Sequence, residues 1–290
     1  MGLTEEKPRP CQPSLIRSLM RRLTTGFLAG LLKRLSHTEA DPAAVLVQTL
    51  VTFGSMTGPQ PHFRVEVTDH HANLFACLVG QSSRSRKGSS LEHVMRLFSM
   101  ADPNWKKEHT VSGLHSGEGL IWAVRDPIFE HQRNKKTGEV EEVMIDGGVE
   151  NKRLHVTEEE FAQPLKLMSR PGNILSTVLR CAWSHSILRT LVKNAPAQAT
   201  GAHISVIGHI TEEELRRELG QCELFNGFAN RFLWLCVKRS NVLPEGGLVD
   251  EETSAALAKD LQTSLKSAAT FAGCSATQRR KNSGTRVTRN

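Results

Sequence analysis

In the stretch Gly80-Gln-Ser-Ser-Arg-Ser-Arg-Lys-Gly-Ser-Ser90, a lysine, two glycines and five serines follow the apolar run NLFACLV of residues 73 to 79. Backbone N–H groups of a glycine-containing loop can cradle phosphate, a lysine adds a point charge, and a serine hydroxyl can ligate Mg²⁺. A standard phosphate loop has its lysine six residues after the first glycine, a glycine just before that lysine and a Ser or Thr just after it. Here Lys87 comes seven residues after Gly80, Arg86 precedes it and Gly88 follows it, ahead of Ser89 and Ser90. The residues support two readings. One is a phosphate loop with its parts in a different order, and the other is a polar strand-to-helix turn in which Ser89 and Glu92 form a capping box.

Three further stretches carry groups that such a site would need. RLHVTEEEF (153 to 161) ends an apolar run in three glutamates. Glu158, Glu159 and Glu160 all have the chemistry to hold Mg²⁺ through water or to orient an attacking water. The plain alternative is a helix start capped by Thr157 and Glu160. AHISVIGHITEEELRREL delivers His209 at the end of a buried run, with Thr211 and Glu214 at the start of the next helix. There a polar group can sense a terminal phosphate, or can pair structurally with the glutamates. NGFANRFLWLCVKRS puts Arg231 at the entry of a strand and Lys238 and Arg239 at its exit. An arginine of this kind can act in trans on a neighbouring subunit's phosphate.

Short apolar runs at 73–79, 108–112, 153–157, 202–208 and 231–238 alternate with helical patterns near 90–99, 118–124, 158–168, 172–192 and 212–219, which predicts a mainly parallel sheet with helices on both faces. Ligands of such sheets bind beyond the carboxyl ends of the strands, where residues 80 to 90 fall. Upstream, residues 1 to 13 read as a disordered leader and residues 14 to 36 as an amphipathic helix. Residues 41 to 56 read as a second helix, with Asp41 at the cap and Pro42 in the first turn. The polar segment 131 to 152 reads as an inserted hairpin.

The 290 residues carry a net charge of +7, but residues 267 to 290 hold five basic residues and no acid, which leaves +2 for residues 1 to 266. The total therefore gives no basic footprint for DNA on the body of the chain. The six cysteines lie far apart with no CxxC pair, against a zinc or disulfide framework. No apolar run is long enough to span a bilayer and no secretion signal is present, so a cytoplasmic location without membrane contact is expected.

The succession LVGQSSRSRKGSS, GLHSGEGLIWAVRDP, KRLHVTEEEF, GNILSTVLR, ATGAHISVIGHIT and NGFANRFLW resembles a family of domains of unknown function. Those domains look like RecA-type ATPases and occur in plasmid, phage and other mobile-element proteins, often beside a primase or polymerase module. The resemblance runs from about residue 40 to about residue 265. It implies a RecA-like P-loop NTPase core of α/β class over residues 61 to 245, with the hairpin 131–152 inserted, preceded by an N-terminal helical region (14 to 60) and followed by a C-terminal helix (246 to 266). It implies ATP and Mg²⁺ as cofactors, with Arg86, Lys87, Gly88 and Ser89 in the nucleotide loop, which the loop's own composition extends to Gly80 and Ser90. Glu158 and Glu160 fall in the acidic motif, so that Glu158 with Ser89 is the expected Mg²⁺ set and Glu160 or Glu118 is placed to activate water, and His209 and Thr211 fall at a sensor position. DNA, a primase or polymerase module and a homo-oligomer are the implied partners, and a helicase or translocase motor the implied activity. The sequence departs from the pattern at His115, Thr157 and Ser184, the basis of the alternative reading as a degenerate, non-hydrolysing nucleic-acid- or protein-binding module. The acid-free composition of residues 267 to 290 predicts a disordered basic tail, read as the mark of a frameshifted or truncated product that lacks a sheet-covering helical region.

Overall fold

The computed structural model describes residues 30–31, 38–82, 84–133, 140–191, 197–244, 251–270 and 274–275. Five parallel strands form its central sheet: β3 (Phe75–Val79), β4 (Thr110–Val111), β7 (Arg153–Glu158), β10 (His203–Ile210) and β11 (Phe232–Cys236), in the spatial order β11-β3-β10-β7-β4. The register brings the carboxyl ends together, with Ile210 opposite Val79, Gly208 opposite Glu158 and Cys236 opposite Val79. One strand, β10, thus separates the strand that feeds the serine-rich loop from the strand that ends in glutamate.

Helix α1 (Pro42–Thr57) forms as expected: Asp41 accepts from the Ala43 N–H, and Pro42 takes the first turn, where its missing N–H costs nothing. With α2 (Lys87–Ala101) it covers one face of the sheet, through Ala44, Val51, Leu91 and Met95, and α9 (Glu251–Ala269) packs on those two helices through Leu257 and Leu261, against Val45 and Phe98. The opposite face carries α4 (Gly117–Trp122), α5 (Ala162–Met168) and α6 (Leu175–Trp183), packed through Ile121, Phe161, Leu165, Leu175 and Leu179. All eight residues of β10 are buried, as a strand covered on both sides requires.

The remaining elements are peripheral. They are the hairpin β1–β2 (His62–Val65, Thr68–His71), α3 (Trp105–His109), the exposed hairpin β5–β6 (Ile128–Arg133, Val140–Asp146), the short pair β8–β9 (Leu188–Arg189, Gln198–Ala199), α7 (Glu212–Glu218), α8 (Gln221–Phe225) and β12 (Cys274–Ser275). No helix among the described residues is long and apolar enough to cross a membrane.

Several expectations are corrected. The helix expected over 172–192 stops at Trp183: His185 takes a left-handed conformation at φ 53°, and the chain turns into β8. The capping boxes expected at Ser89/Glu92 and Thr157/Glu160 do not form. Helix α2 starts two residues before Ser89, and β7 runs through Thr157 to Glu158, so neither Ser89 nor Thr157 stands at a helix start. The box at Thr211 and Glu214 does form. Residues 267 to 269, expected in the disordered tail, continue α9 because Ala268 extends its buried Leu257, Leu261 and Ser264 seam, and Cys274–Ser275 pairs in parallel with β1. The hairpin β1–β2 has no counterpart among the expected strands. The expected leader lies outside the described residues, as do the helix of residues 14 to 36 apart from Gly30 and Leu31, and the tail beyond Ser275.

Candidate functional site

A cleft of 390 Å³ opens at the carboxyl edge of the sheet, lined from the loop by Ser82, Ser85, Arg86, Lys87, Gly88 and Ser89, from the β7 end by Glu159 and Glu160, and from the β10 end by His209, Thr211 and Glu214. Its size is that of a small-molecule site. The local geometry follows from the loop's residue order. Where a standard loop has glycine before its lysine, Arg86 takes a left-handed conformation (φ 53°, ψ 31°) that a non-glycine residue holds only at a cost of about 1–3 kcal/mol. Glu39, just before α1, neighbours its side chain: the carboxylate lies 2.7 Å from Arg86 Nε as an ion pair, outside hydrogen-bond geometry, and also pairs with Arg239.

Lys87 begins α2. Its Nζ donates to the Gly80 carbonyl at 2.6 Å and to Ser85 Oγ at 3.2 Å, curling the ammonium back over the loop. Burial holds its pKa below the ordinary lysine value, with Glu214 and Glu160 opposing. No side chain caps α2, so its first N–H groups, which no helical carbonyl can reach, are left with the positive end of the helix dipole at the cleft.

The other expected residues divide. Ser89 is exposed in the cleft, whereas Ser90 is fully buried and its Oγ donates to the Lys87 carbonyl at 2.6 Å, bracing the helix start. Gly80 sits beneath the loop: a Cβ there would come within 2.6 Å of the Val237 carbonyl oxygen and 2.8 Å of Ser85 Cβ, so glycine is required by close approach. Glu160 lines the cleft. Glu158 does not: it shares the strand face of Leu154 and Val156, is buried, and accepts from the Leu114 N–H at 2.6 Å. Burial raises its pKa, opposed by the N–H groups of Leu114 and Gly113. The carboxylate that stands in the cleft beside Glu160 is Glu159, whose Oε2 would lie 3.4 Å from a Cβ built on Gly88. Strand alternation carried that signal, because a residue two after Val156 must face the same side as Val156.

Glu118 is exposed on the first turn of α4, outside the cleft lining. Arg231 lies at the amino end of β11, so the length of the strand, roughly 3.3 Å per residue, separates it from the carboxyl edge. Its guanidinium donates to the Gly227 carbonyl at 2.6 Å. Neither side chain reaches this chain's cleft. Compared with known proteins, the chain matches no family model and no curated protein. The site is thus defined by its own geometry.

His209 is buried in β10 beside the cleft, and its partner is Gln48 of α1 rather than a glutamate: the Gln48 amide nitrogen is 3.0 Å from His209 Nε2. Burial, and secondarily the Lys87 charge, push its pKa down to about 4, so the ring is neutral near pH 7. Its Nδ1 has no protein partner. As a chemical assembly, the cleft sets the Lys87 ammonium, the Arg86 guanidinium, the N–H groups of an uncapped helix start and a neutral imidazole around a space that also holds three carboxylates, Glu159, Glu160 and Glu214. The first four suit phosphate oxygens, and the carboxylates suit a cation or a water.

Proposed function

We propose that this cleft binds the β- and γ-phosphates of a nucleoside triphosphate, with ATP as the expected nucleotide, in a RecA-like P-loop domain. The observation that carries the reading is Lys87 Nζ held on the Gly80 carbonyl at the uncapped start of α2, at the carboxyl edge of a parallel sheet. An ammonium parked on a loop carbonyl is ready to exchange that neutral acceptor for a phosphate oxygen, and a charged acceptor makes the stronger bond. The five-strand all-parallel sheet with helices on both faces is compatible with the RecA-like architecture that the motifs resemble.

Mg²⁺ fits the same site. It is usually held by one or two carboxylates together with substrate phosphates and water, and Glu159, Glu160 and the Ser89 hydroxyl supply the protein's share. When bound, it would neutralise charge on the β- and γ-oxygens. Glu160 is the better placed of the two expected water-orienting carboxylates, since Glu118 lies outside the cleft lining. Arg231, held away from its own cleft, fits a role in trans within a homo-oligomer. The wider reading is a motor domain of a DNA replication or mobile-element protein, acting on DNA beside a primase or polymerase module. The alternative, a non-hydrolysing nucleic-acid- or protein-binding module, keeps the fold and loses turnover.

The test is thermal melting with ATP and Mg²⁺, with ATP hydrolysis measured in the presence and absence of single-stranded DNA. Nucleotide at about 100 times its Kd should stabilise the wild type by about 2.7 kcal/mol, and Lys87→Ala should lose that stabilisation while melting close to wild type without ligand. An equal stabilisation in Lys87→Ala removes the reading. Stabilisation without hydrolysis selects the non-hydrolysing module.

A further inference from the structure

A buried polar contact reaches the cleft from behind. Gln48 is fully buried in α1, and its side-chain Nε2 lies 3.0 Å from Nε2 of His209, itself 1% exposed. With the amide nitrogen, a donor only, turned to the ring and Gln48 Oε1 left without a partner among the described residues, His209 Nε2 is the acceptor in this bond. A neutral imidazole that accepts at one nitrogen carries its proton on the other. The proton therefore sits on Nδ1, which is itself closed to solvent and finds no acceptor among the described residues, in a residue that lines the cleft. A buried donor left without a partner costs about 1–3 kcal/mol, a cost that an acceptor brought by a ligand would relieve.

We propose that Gln48 is a positioning residue that fixes the His209 tautomer, so that Nδ1–H donates to an oxygen of the phosphate ligand and links cleft occupancy to helix α1. This rests on the phosphate reading of the cleft. The physical content is specific. A neutral N–H donor adds a bond to the anion without adding a second charge beside the Lys87 ammonium. The link to α1 is direct, because Gln48 also offers its backbone carbonyl to Thr52 Oγ at 2.8 Å, within a helix that packs along β10. A ligand that draws His209 toward itself pulls on α1 through one hydrogen bond.

The tautomer can be read without any ligand. Nitrogen-15 NMR of histidine-labelled protein, with the His209 resonance assigned by its loss in His209→Asn, should show Nδ1 protonated and Nε2 unprotonated near pH 7. Gln48→Glu offers an acceptor in place of the donor and should reverse that pattern. Calorimetry with ATP, and separately with inorganic triphosphate, should show about a tenfold weaker Kd for Gln48→Met, the loss of roughly one hydrogen bond to a charged group. The double variant Gln48→Met with His209→Asn should bind no more weakly than His209→Asn alone, since the two act as a unit. A protonated Nε2 in the wild type, or an unchanged Kd in a folded Gln48→Met, overturns this inference while leaving the cleft reading intact. A wild type that binds neither probe removes the cleft reading and this inference with it, and the NMR pattern then reports on the Gln48 contact alone.

Discussion

The two faces of the central sheet are built from the same strands on opposite principles. On the face under α4, α5 and α6, β10 contributes Ile204, Val206, Gly208 and Ile210, and the neighbouring strands contribute Phe75, Cys77, Val79, Leu154, Val156 and Phe232. The Phe161 ring lies so close that a Cβ on Gly208 would be 2.7 Å from it. On the face under α1 the same strand contributes His203, Ser205, Ile207 and His209, and β7 adds His155. Each histidine there is tied to α1: His209 to Gln48, His155 to Thr52 Oγ at 3.3 Å and His203 to the Gly54 carbonyl at 2.9 Å. The apolar face is held by non-directional burial, which tolerates a small displacement of a helix. The histidine face adds to its own apolar packing, through Val51, Leu91, Met95 and Ile207, a row of directional bonds that fix the position of α1 along β10 and bring one of those bonds to the cleft.

If this contrast is right, acid should act chiefly through the histidine face, which His185, just beyond α6, joins by its 3.3 Å approach to His203 and a pKa that burial likewise pushes down to about 4. Burial pushes His155, His203 and His209 each down to about 4, from an ordinary value of 6.5. As pH falls, the unfolded chain takes up protons at these three sites before the folded chain does. Stability is therefore intact above about pH 6.5 and is lost progressively as pH falls toward about 4, by several kcal/mol in total, because each tenfold difference in proton affinity between the folded and unfolded chain is worth about 1.4 kcal/mol. Chemical unfolding measured at steps from about pH 7.5 to about pH 4.5 checks this, and a flat stability over that range would dissolve the distinction between the faces.

A smaller and pH-independent effect is expected from the apolar face. Leu179→Ala, at a fully buried position of α6, should cost about 2–5 kcal/mol through lost burial and the cavity left behind. The loss should be the same at about pH 7.5 and about pH 5.5, and a strongly pH-dependent loss would show that the two faces are coupled.

The smallest effect sharpens the comparison at one bond. Thr52 Oγ donates to the Gln48 carbonyl and accepts from His155 Nε2, so Thr52→Val leaves that buried donor unpaired at a cost of about 1–3 kcal/mol. The variant should keep the Leu179→Ala increment unchanged in the double variant, because the sites lie on opposite faces. Non-additivity beyond about 0.5 kcal/mol, measured by the same unfolding assay, would contradict the separation.

How far the sequence is legible follows the range of the interactions. Apolar runs at 73–79, 153–157 and 202–208 identify three central strands, since hydrophobic patterning is local and survives any tertiary arrangement. Asp41-Pro42 and Thr211 with Glu214 mark their helix starts for the same reason: a cap is satisfied within four residues. The loop at 80 to 90, its position at the carboxyl edge, and Lys87, Ser89, Glu160 and His209 as cleft residues are legible as well. Of the pair Glu158 and Glu160 that the motif favours, only Glu160 lines the cleft, because the outcome depends on where β7 ends: one residue more of strand turns Glu158 away to the Leu114 N–H and brings Glu159 forward.

The sequence by itself determined the alternation of strands and helices, the serine-rich loop after an apolar strand and the groups able to meet a phosphate, since these depend on residue type and short spacing. Only the tertiary structure decided which of them meet. The contacts of Glu39 with Arg86 and of Gln48 with His209 span 47 and 161 residues of chain. Nothing within a window of sequence distinguishes those two side chains from any other Glu or Gln near α1. Their roles exist only because α1 packs across the sheet, and that packing is fixed by burial over the whole domain rather than by any local signal.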